Sequence, residues 1–307
     1  MRAVRFDRYG GVDELYVADV PVPDAGPGEV VVAVRAAGLN PGETPIRAGL
    51  FDAMWPATFP SGQGTDFAGV VHEVGEGVAD VAVGEEVVGW TEQRAGQAEY
   101  VAVPADQLVP KPAGVSWEVA GGLYVAGGAA WAGVTTVDPK QGETVVVSGA
   151  SGGVGVVTVQ LALERGARVI ALASPVHREL LDGFGATVVD YRPQDRLAER
   201  ITAAAPEGVT GWIDTFGGGY VDLAVSIGVP PERINTIADV EGAQRNGTRR
   251  VGTHDVTDAA VLAQLLDRVA DGRIVLPVAA TYPLDKVQDA VRELEERHTQ
   301  GKIVLVP

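Results

Sequence analysis

The chain has 307 residues, 46% of them hydrophobic, enough for two ordinary cores, because a domain takes about 150 residues. Lys and Arg number 24 against 41 Asp and Glu, a formal net charge of −17. That is the wrong sign for gripping a phosphate backbone by counterion release, so nucleic acid is not expected as a main partner. Cysteine is absent, which removes disulfides, thiolate metal ligands and a cysteine nucleophile.

The first residues, MRAVRFDRYGG, carry charges where a secretion signal needs an apolar core, and no later stretch approaches the ~18 apolar residues of a membrane span. The expectation is a cytoplasmic protein with no membrane partner. From Met1 to Lys111 the pattern is short and β-like, with VVVAVRAAG (Val30–Gly38), FAGVVHEVG (Phe67–Gly75) and EEVVGW (Glu85–Trp90) punctuated by Gly and Pro. After the proline-bearing stretch Val109–Trp117 the character changes. Apolar runs (TVVVSG, ARVIALAS, TVVDY) alternate with helical ones (VGVVTVQLALERG, PVHRELLDGFG), as in βαβ units on a parallel sheet. Further strands are expected at Gly211–Gly217, Arg233–Asp239 and Arg249–His254. The last third predicts a helix around VLAQLLDRVADG, a strand at Ile274–Val278, a helix over Leu284–His298 and a closing strand GKIVLVP. Periodicity leaves open whether this tail joins the second domain or folds back on the first.

Between TVVVSG and its helix stands Ala150-x-Gly152-x-x-Gly155, with Ser151, Gly153 and Val154 between. Placed after a strand and before a helix, this is the context of a dinucleotide-binding turn. A glycine at 152 lets backbone approach a pyrophosphate, Gly155 lets the helix pack on the strand, and the positive helix end faces the anion. Ala150 stands where the first glycine usually does, which a turn tolerates when φ is negative. A glycine-rich turn that binds nothing is the alternative.

Cofactor choice is read about 20 residues further on, where an acid would hold the ribose 2′-hydroxyl of NAD. Here the strand ends at Ser174, followed by His177 and Arg178, with no acid until Glu179. A hydroxyl and fixed positive charge suit a 2′-phosphate, so NADP(H) is expected. Ser174 also suits a helix cap, a compatible use of the same side chain.

Several segments in order resemble the zinc-independent quinone oxidoreductases of the medium-chain dehydrogenase/reductase superfamily: GLNPGETPIRAG (Gly38–Gly49), GQGTDFAGVVHEVGEGV (Gly62–Val78), AEYVAVPADQLVPKPAGVSW (Ala98–Trp117), SGASGGVG, DYRPQD, WIDTFGG and the terminal GKIVLVP. The resemblance implies an α/β fold: a GroES-like β-rich catalytic domain over residues 1–115 with a C-terminal return over 273–307, and a Rossmann doubly wound parallel-sheet domain over 116–272. It places the active site in a cleft between them and implies a homodimer. It also puts Arg178 and Tyr191 beside the adenosine 2′-phosphate, Thr215 and Gly217 in a loop under the cofactor ribose, and Asn40 in the active site.

The departures matter too. With no Cys and only the scattered His72, His177, His254 and His298, the zinc sites of related alcohol dehydrogenases cannot be assembled. Pro45, Phe51 and Ala129 stand where relatives carry hydroxyls, and Tyr124 is offered as a substitute proton donor. Glu43 and Arg47 are expected to form a structural ion pair. The resemblance implies NADPH-dependent hydride transfer to a quinone or a carbonyl-conjugated alkene, a small-molecule substrate. A protein that binds NADPH without turnover is the alternative.

Overall fold

Continuous runs of β-branched residues bounded by glycine suit strands buried on both faces, and such runs build the middle of the chain. A computed structural model describes all 307 residues. Two compact units emerge. One comprises Met1–Val125, Asp258–Asp271 and Pro277–Pro307; the other comprises Ala126–Thr257 and Gly272–Leu276.

In the second unit five strands, β1 (Thr144–Ser148), β2 (Arg168–Leu172), β3 (Thr187–Val189), β4 (Gly211–Asp214) and β5 (Ile234–Thr236), pair in the order β3-β2-β1-β4-β5. Every pairing is parallel. The register aligns the strands' carboxyl ends: Ser148 pairs with Leu172 on one side and Asp214 on the other, and Asp214 pairs with Thr236. Strand order reverses at β1, and ligands of such sheets bind beyond the carboxyl ends at the reversal. Helix α1 (Gly153–Glu164) follows β1 and buries every residue from Gly155 to Ala162. It stops at Gly166, whose φ of +80° only glycine adopts at little cost. Val146, Ile170, Leu172, Ile201, Trp212 and Tyr220 lie in the core on one side of this sheet.

In the first unit, the ten-residue strand Glu29–Gly38 pairs antiparallel with Asp66–Val74, with Tyr100–Pro104 and, at its far end, with the last strand Lys302–Val306. Val278–Pro283 flanks the last strand, while Glu86–Trp90 and Leu108–Pro110 extend the other edge. A small sheet sets Arg2–Phe6 between Tyr16–Asp19 and Ser61–Gly62. Val4, Phe6, Leu39, Leu284, Ile303 and Leu305 share one core, so the chain's beginning and end are packed together.

Two expected strands are corrected. Arg249–His254 makes only one isolated bridge, from Arg249 to Asn235. Its next backbone groups are taken by a side chain: Asn235 Nδ2 donates to Val251 O at 3.0 Å and Val251 N donates to Asn235 Oδ1 at 2.9 Å. A helix, Thr253–Val256, then begins. Ile274–Val278 is not a strand either, because Gln160 clips the backbone of Val275 in the same two-sided way, both contacts at 2.8 Å. Pairing starts only at Val278.

Asn235→Ala, which strips both partners from Val251, is expected to lower unfolding stability by about 2 kcal/mol. Urea denaturation measures this; a loss under about 0.5 kcal/mol would show that the clip contributes nothing net.

Candidate functional site

In the second unit the turn after β1 is made by Gly149, whose φ is +68°. Ala150 keeps a negative φ and is fully buried, its N–H donating to Leu172 O at 3.2 Å. The position that must be glycine for the turn is therefore one residue earlier than the motif suggests. Gly155 is required by packing, since a Cβ there would stand 2.1 Å from Gly149 O. Gly152 caps α1 and is different: a Cβ would meet only Gly149 O, at 3.4 Å. The protein leaves space at Gly152, next to the half-buried Ser151, Gly153 and Val154. The first-turn N–H groups of α1 have no intrahelical acceptors, and the helix dipole adds to their pull on an anion.

Beside this turn the buried carboxylate of Asp214 holds the following loop. Asp214 Oδ1 accepts from Ser148 Oγ at 2.5 Å, Phe216 N at 3.1 Å and Gly217 N at 3.0 Å, and Oδ2 accepts from Thr236 Oγ1 at 2.7 Å. Trp212 Nε1 donates to Ser148 Oγ at 3.2 Å. Thr215 Oγ1 donates to Ser148 O at 2.7 Å. Thr215 and Gly217 are thus tied to the ends of β1 and β4, and the positive φ values at Gly217, Gly218 and Gly219 let the chain double back there.

At the end of β2, Ser174 opens a single helical turn, Pro175–His177, without a side-chain capping bond. Its Oγ instead accepts from Arg192 Nη2 at 3.2 Å. The Arg192 guanidinium lies 5.1 Å from the centre of the Tyr191 ring, and Arg192 N donates to Asp190 Oδ1 at 3.0 Å. Ser174, Tyr191 and Arg192 come together. Arg178 points elsewhere, donating to Val188 O at 3.3 Å with Asp182 at 3.9 Å. Sequence reasoning missed Arg192; the available signal was its place after Tyr191 at the end of β3, the strand adjacent to β2.

In the first unit Asn40 is buried in a chain of polar side chains. Lys302 Nζ donates to Asn40 Oδ1 at 2.7 Å and to Leu39 O at 2.6 Å, and stands 3.6 Å from Asp66 Oδ2. Asn40 Nδ2 donates to Glu43 Oε1 at 3.3 Å, and Glu43 Oε2 accepts from Gln97 Nε2 at 2.9 Å. Gln97 Oε1 accepts from Gln63 Nε2 at 3.1 Å, and Gln63 Oε1 accepts from Arg47 Nη1 at 3.0 Å. The expected Glu43–Arg47 pair does not form. Two glutamine amides stand between them, and Arg47 pairs with Glu295 at 3.1 Å.

Burial, with the nearby Asp66 charge, pushes the Glu43 carboxyl up to about 7. Burial also raises Asp66, against the pull of Lys302, and lowers Lys302. Tyr124 is 2% exposed and stacks on Trp90 with ring centres 4.5 Å apart. Burial and then the Asp66 charge hold its phenol well above the ordinary tyrosine value, making it a poorer acid. Phe51 is half-buried against Trp55, and Ala129 is buried.

Residues 26–113 match the family described as alcohol dehydrogenase GroES-like domain, and residues 184–305 the family described as zinc-binding dehydrogenase. The chain is 30% identical over 321 residues to the chloroplastic NADPH-dependent alkenal/one oxidoreductase of Arabidopsis thaliana, covering 100% of this chain and 80% of that protein. It is 27% identical over 326 residues to quinone oxidoreductase 1 of Escherichia coli (strain K12), covering 99% of each. The crystal structure of Escherichia coli quinone oxidoreductase complexed with NADPH is similar with a TM-score of 0.90 at 26% identity, covering 100% of both chains. Zinc, named in the second family description, does not fit these residues: no three His, Cys, Asp or Glu side chains gather into a ligand set.

The two glycines separate packing from space. Gly155→Ala should lower stability by about 2 kcal/mol or more through the forced displacement of Gly149, whereas Gly152→Ala should melt with the parent; calorimetric melting of both variants checks this. Equal losses would contradict the assignment.

Proposed function

The chain belongs to the quinone oxidoreductase family of the medium-chain dehydrogenase/reductase superfamily, and from that premise we propose that it is an NADPH-dependent enzyme that reduces a quinone or an α,β-unsaturated carbonyl compound without a metal. The observation that carries the cofactor choice is the Ser174–Arg192–Tyr191 group: a hydroxyl held by a guanidinium that lies over an aromatic ring, at the strand end where NAD-specific proteins place an acid. A 2′-phosphate accepts from serine and pairs with arginine in charge-assisted hydrogen bonds. Asp190, the acid nearby, accepts from the Arg192 backbone at 3.0 Å and stands 3.7 Å from its guanidinium Nε, a looser contact than a phosphate would make. Arg178, exposed on the next helix, adds positive charge without being aimed at Ser174.

NADPH, when bound, supplies the hydride. The space at Gly152 would take the pyrophosphate, with N–H donors from the N-terminus of α1. Asp214 fixes Thr215 and Gly217, the loop that would hold the cofactor ribose. In the first unit, Asn40 is the polar group that orients the substrate. Hydride arrival at the β-carbon puts negative charge on the conjugated oxygen, and a fixed amide N–H stabilises such charge because it needs no reorganisation. Water supplies the proton to the α-carbon, and Tyr124 serves as packing, since its phenol is buried and its acidity suppressed. The reading includes a cytoplasmic homodimer.

By calorimetry NADPH should bind about tenfold or more tightly than NADH. Arg192→Gln should cost NADPH about tenfold, or 1.4 kcal/mol, and leave NADH unchanged. Equal losses for both dinucleotides would contradict the phosphate assignment. Binding with no oxidation of NADPH by any quinone or enone would leave a cofactor-binding protein without turnover.

A further inference from the structure

The buried chain around Asn40 contains more ionisable groups than an inert core needs. Glu43, Asp66 and Lys302 are all buried, Asp66 completely. Two carboxyls and one ammonium cannot all be charged in a low-dielectric interior without leaving one negative charge uncompensated. Arg47 does not supply the balance, because its guanidinium is spent on Gln63, Gly11 O and Glu295. The Asp66 ion pair with Lys302 is long, at 3.6 Å, and Asn40 and the Val125 backbone also face this carboxylate. Glu43 is better provided, with Gln97 on one oxygen and Asn40 on the other.

This arrangement clamps the Asn40 carboxamide from both ends. Its oxygen takes a short bond from Lys302, and its NH2 group reaches Glu43 at 3.3 Å. The Lys302 end is a strong contact to a cation. The Glu43 end is strong only while Glu43 is ionised, because hydrogen bonds to a charged acceptor are roughly twice as strong as neutral ones. Protonated Glu43 would also present an O–H that competes for acceptors within the same cluster.

Resting on the assignment of Asn40 to the substrate, we propose that Lys302 and Glu43 are positioning residues for Asn40, and that a single proton on Glu43 switches the NH2 end of the Asn40 amide between a tight and a loosened contact while Lys302 keeps hold of its oxygen. The groups facing Glu43 are Asn40 and Arg47 on its own segment, Asp66 on the strand Asp66–Val74, Gln97 before the strand Tyr100–Pro104, and Lys302 on the last strand. Tyr124 faces Asp66 from the far side. Loss of the proton charges Glu43 and tightens its contact with the Asn40 NH2; its gain, as pH falls through about 7, loosens that contact.

The experiment follows the side-chain amide nitrogen resonance of Asn40, assigned by its disappearance in Asn40→Asp, between about pH 5 and about pH 9. The expected result is one titration step near neutrality in the full-length protein and a flat response in Glu43→Gln. In the same samples kcat/KM for an enone should fall about tenfold per pH unit below that step, with NADPH affinity unchanged, and Glu43→Gln should remove this pH dependence. A flat resonance in the parent, or a step that survives in Glu43→Gln, overturns the proposal. Should Glu43→Gln not fold, Gln97→Met serves instead. It removes a donor to the carboxylate, so the step should move to higher pH; an unmoved step overturns the proposal. Because the resonance needs neither cofactor nor substrate, a protein that oxidises no NADPH would refute the reductase reading while the titration still decides this one.

Discussion

The antiparallel pairing of the last strand with Glu29–Gly38 is the constraint on which the first unit depends. It sets Val304 opposite Gly38 and Leu305 opposite Ala37, and so delivers Lys302 to Asn40 across 262 residues of sequence. Burying an ammonium is costly unless it is paired and hydrogen-bonded. Lys302 meets that condition through Leu39 O, Asn40 and Asp66. The geometry leaves little tolerance: a Cβ at Gly38 would stand 2.9 Å from Asp66 Oδ2, so the small residue two positions before Asn40 is part of the same fit. The strand therefore closes the sheet and organises the polar cluster at once.

The second unit solves a related problem with a carboxylate. Asp214 ends β4 opposite Ser148 and Thr236, and accepts from both hydroxyls and from the loop that follows. One buried acid with every bond made thus joins the carboxyl ends of three adjacent strands, which is where the glycine turn sits. Satisfied buried networks of this kind rigidify their surroundings, and a rigid turn is what an anion site made of backbone N–H groups requires. The same economy appears in Asn235 and Gln160, whose amides satisfy both backbone groups of Val251 and Val275 in place of a strand neighbour.

Much of this was legible in the sequence. The alternation of apolar runs with helical patterns predicted the parallel sheet, and β-like runs with glycine and proline predicted the other, because hydrophobic periodicity is dictated locally by which faces are buried. The family likeness and the α/β oxidoreductase fold also came from short segments. What escaped was whatever depends on side chains standing in for backbone or on contacts between distant segments. Arg249–His254 and Ile274–Val278 read as strands, because no pattern reveals that an amide elsewhere will take their N–H and C=O groups. Glu43 and Arg47 have the spacing of a helical ion pair, yet Gln63 and Gln97 arrive from loops distant in sequence and intervene. Arg192 was hidden for the same reason: it reaches Ser174 only because β2 and β3 are neighbours.

The central claim is that this chain moves hydride from NADPH to a conjugated carbonyl compound. The most direct test is to supply NADPH deuterated at nicotinamide C4, on each face in turn, with an enone, and to locate the label in the product by mass spectrometry and NMR. The account predicts that one of the two cofactors places a single deuterium on the carbon β to the carbonyl, with the α-hydrogen taken from solvent. Product without deuterium from either cofactor, or label only at the carbonyl carbon, would contradict it.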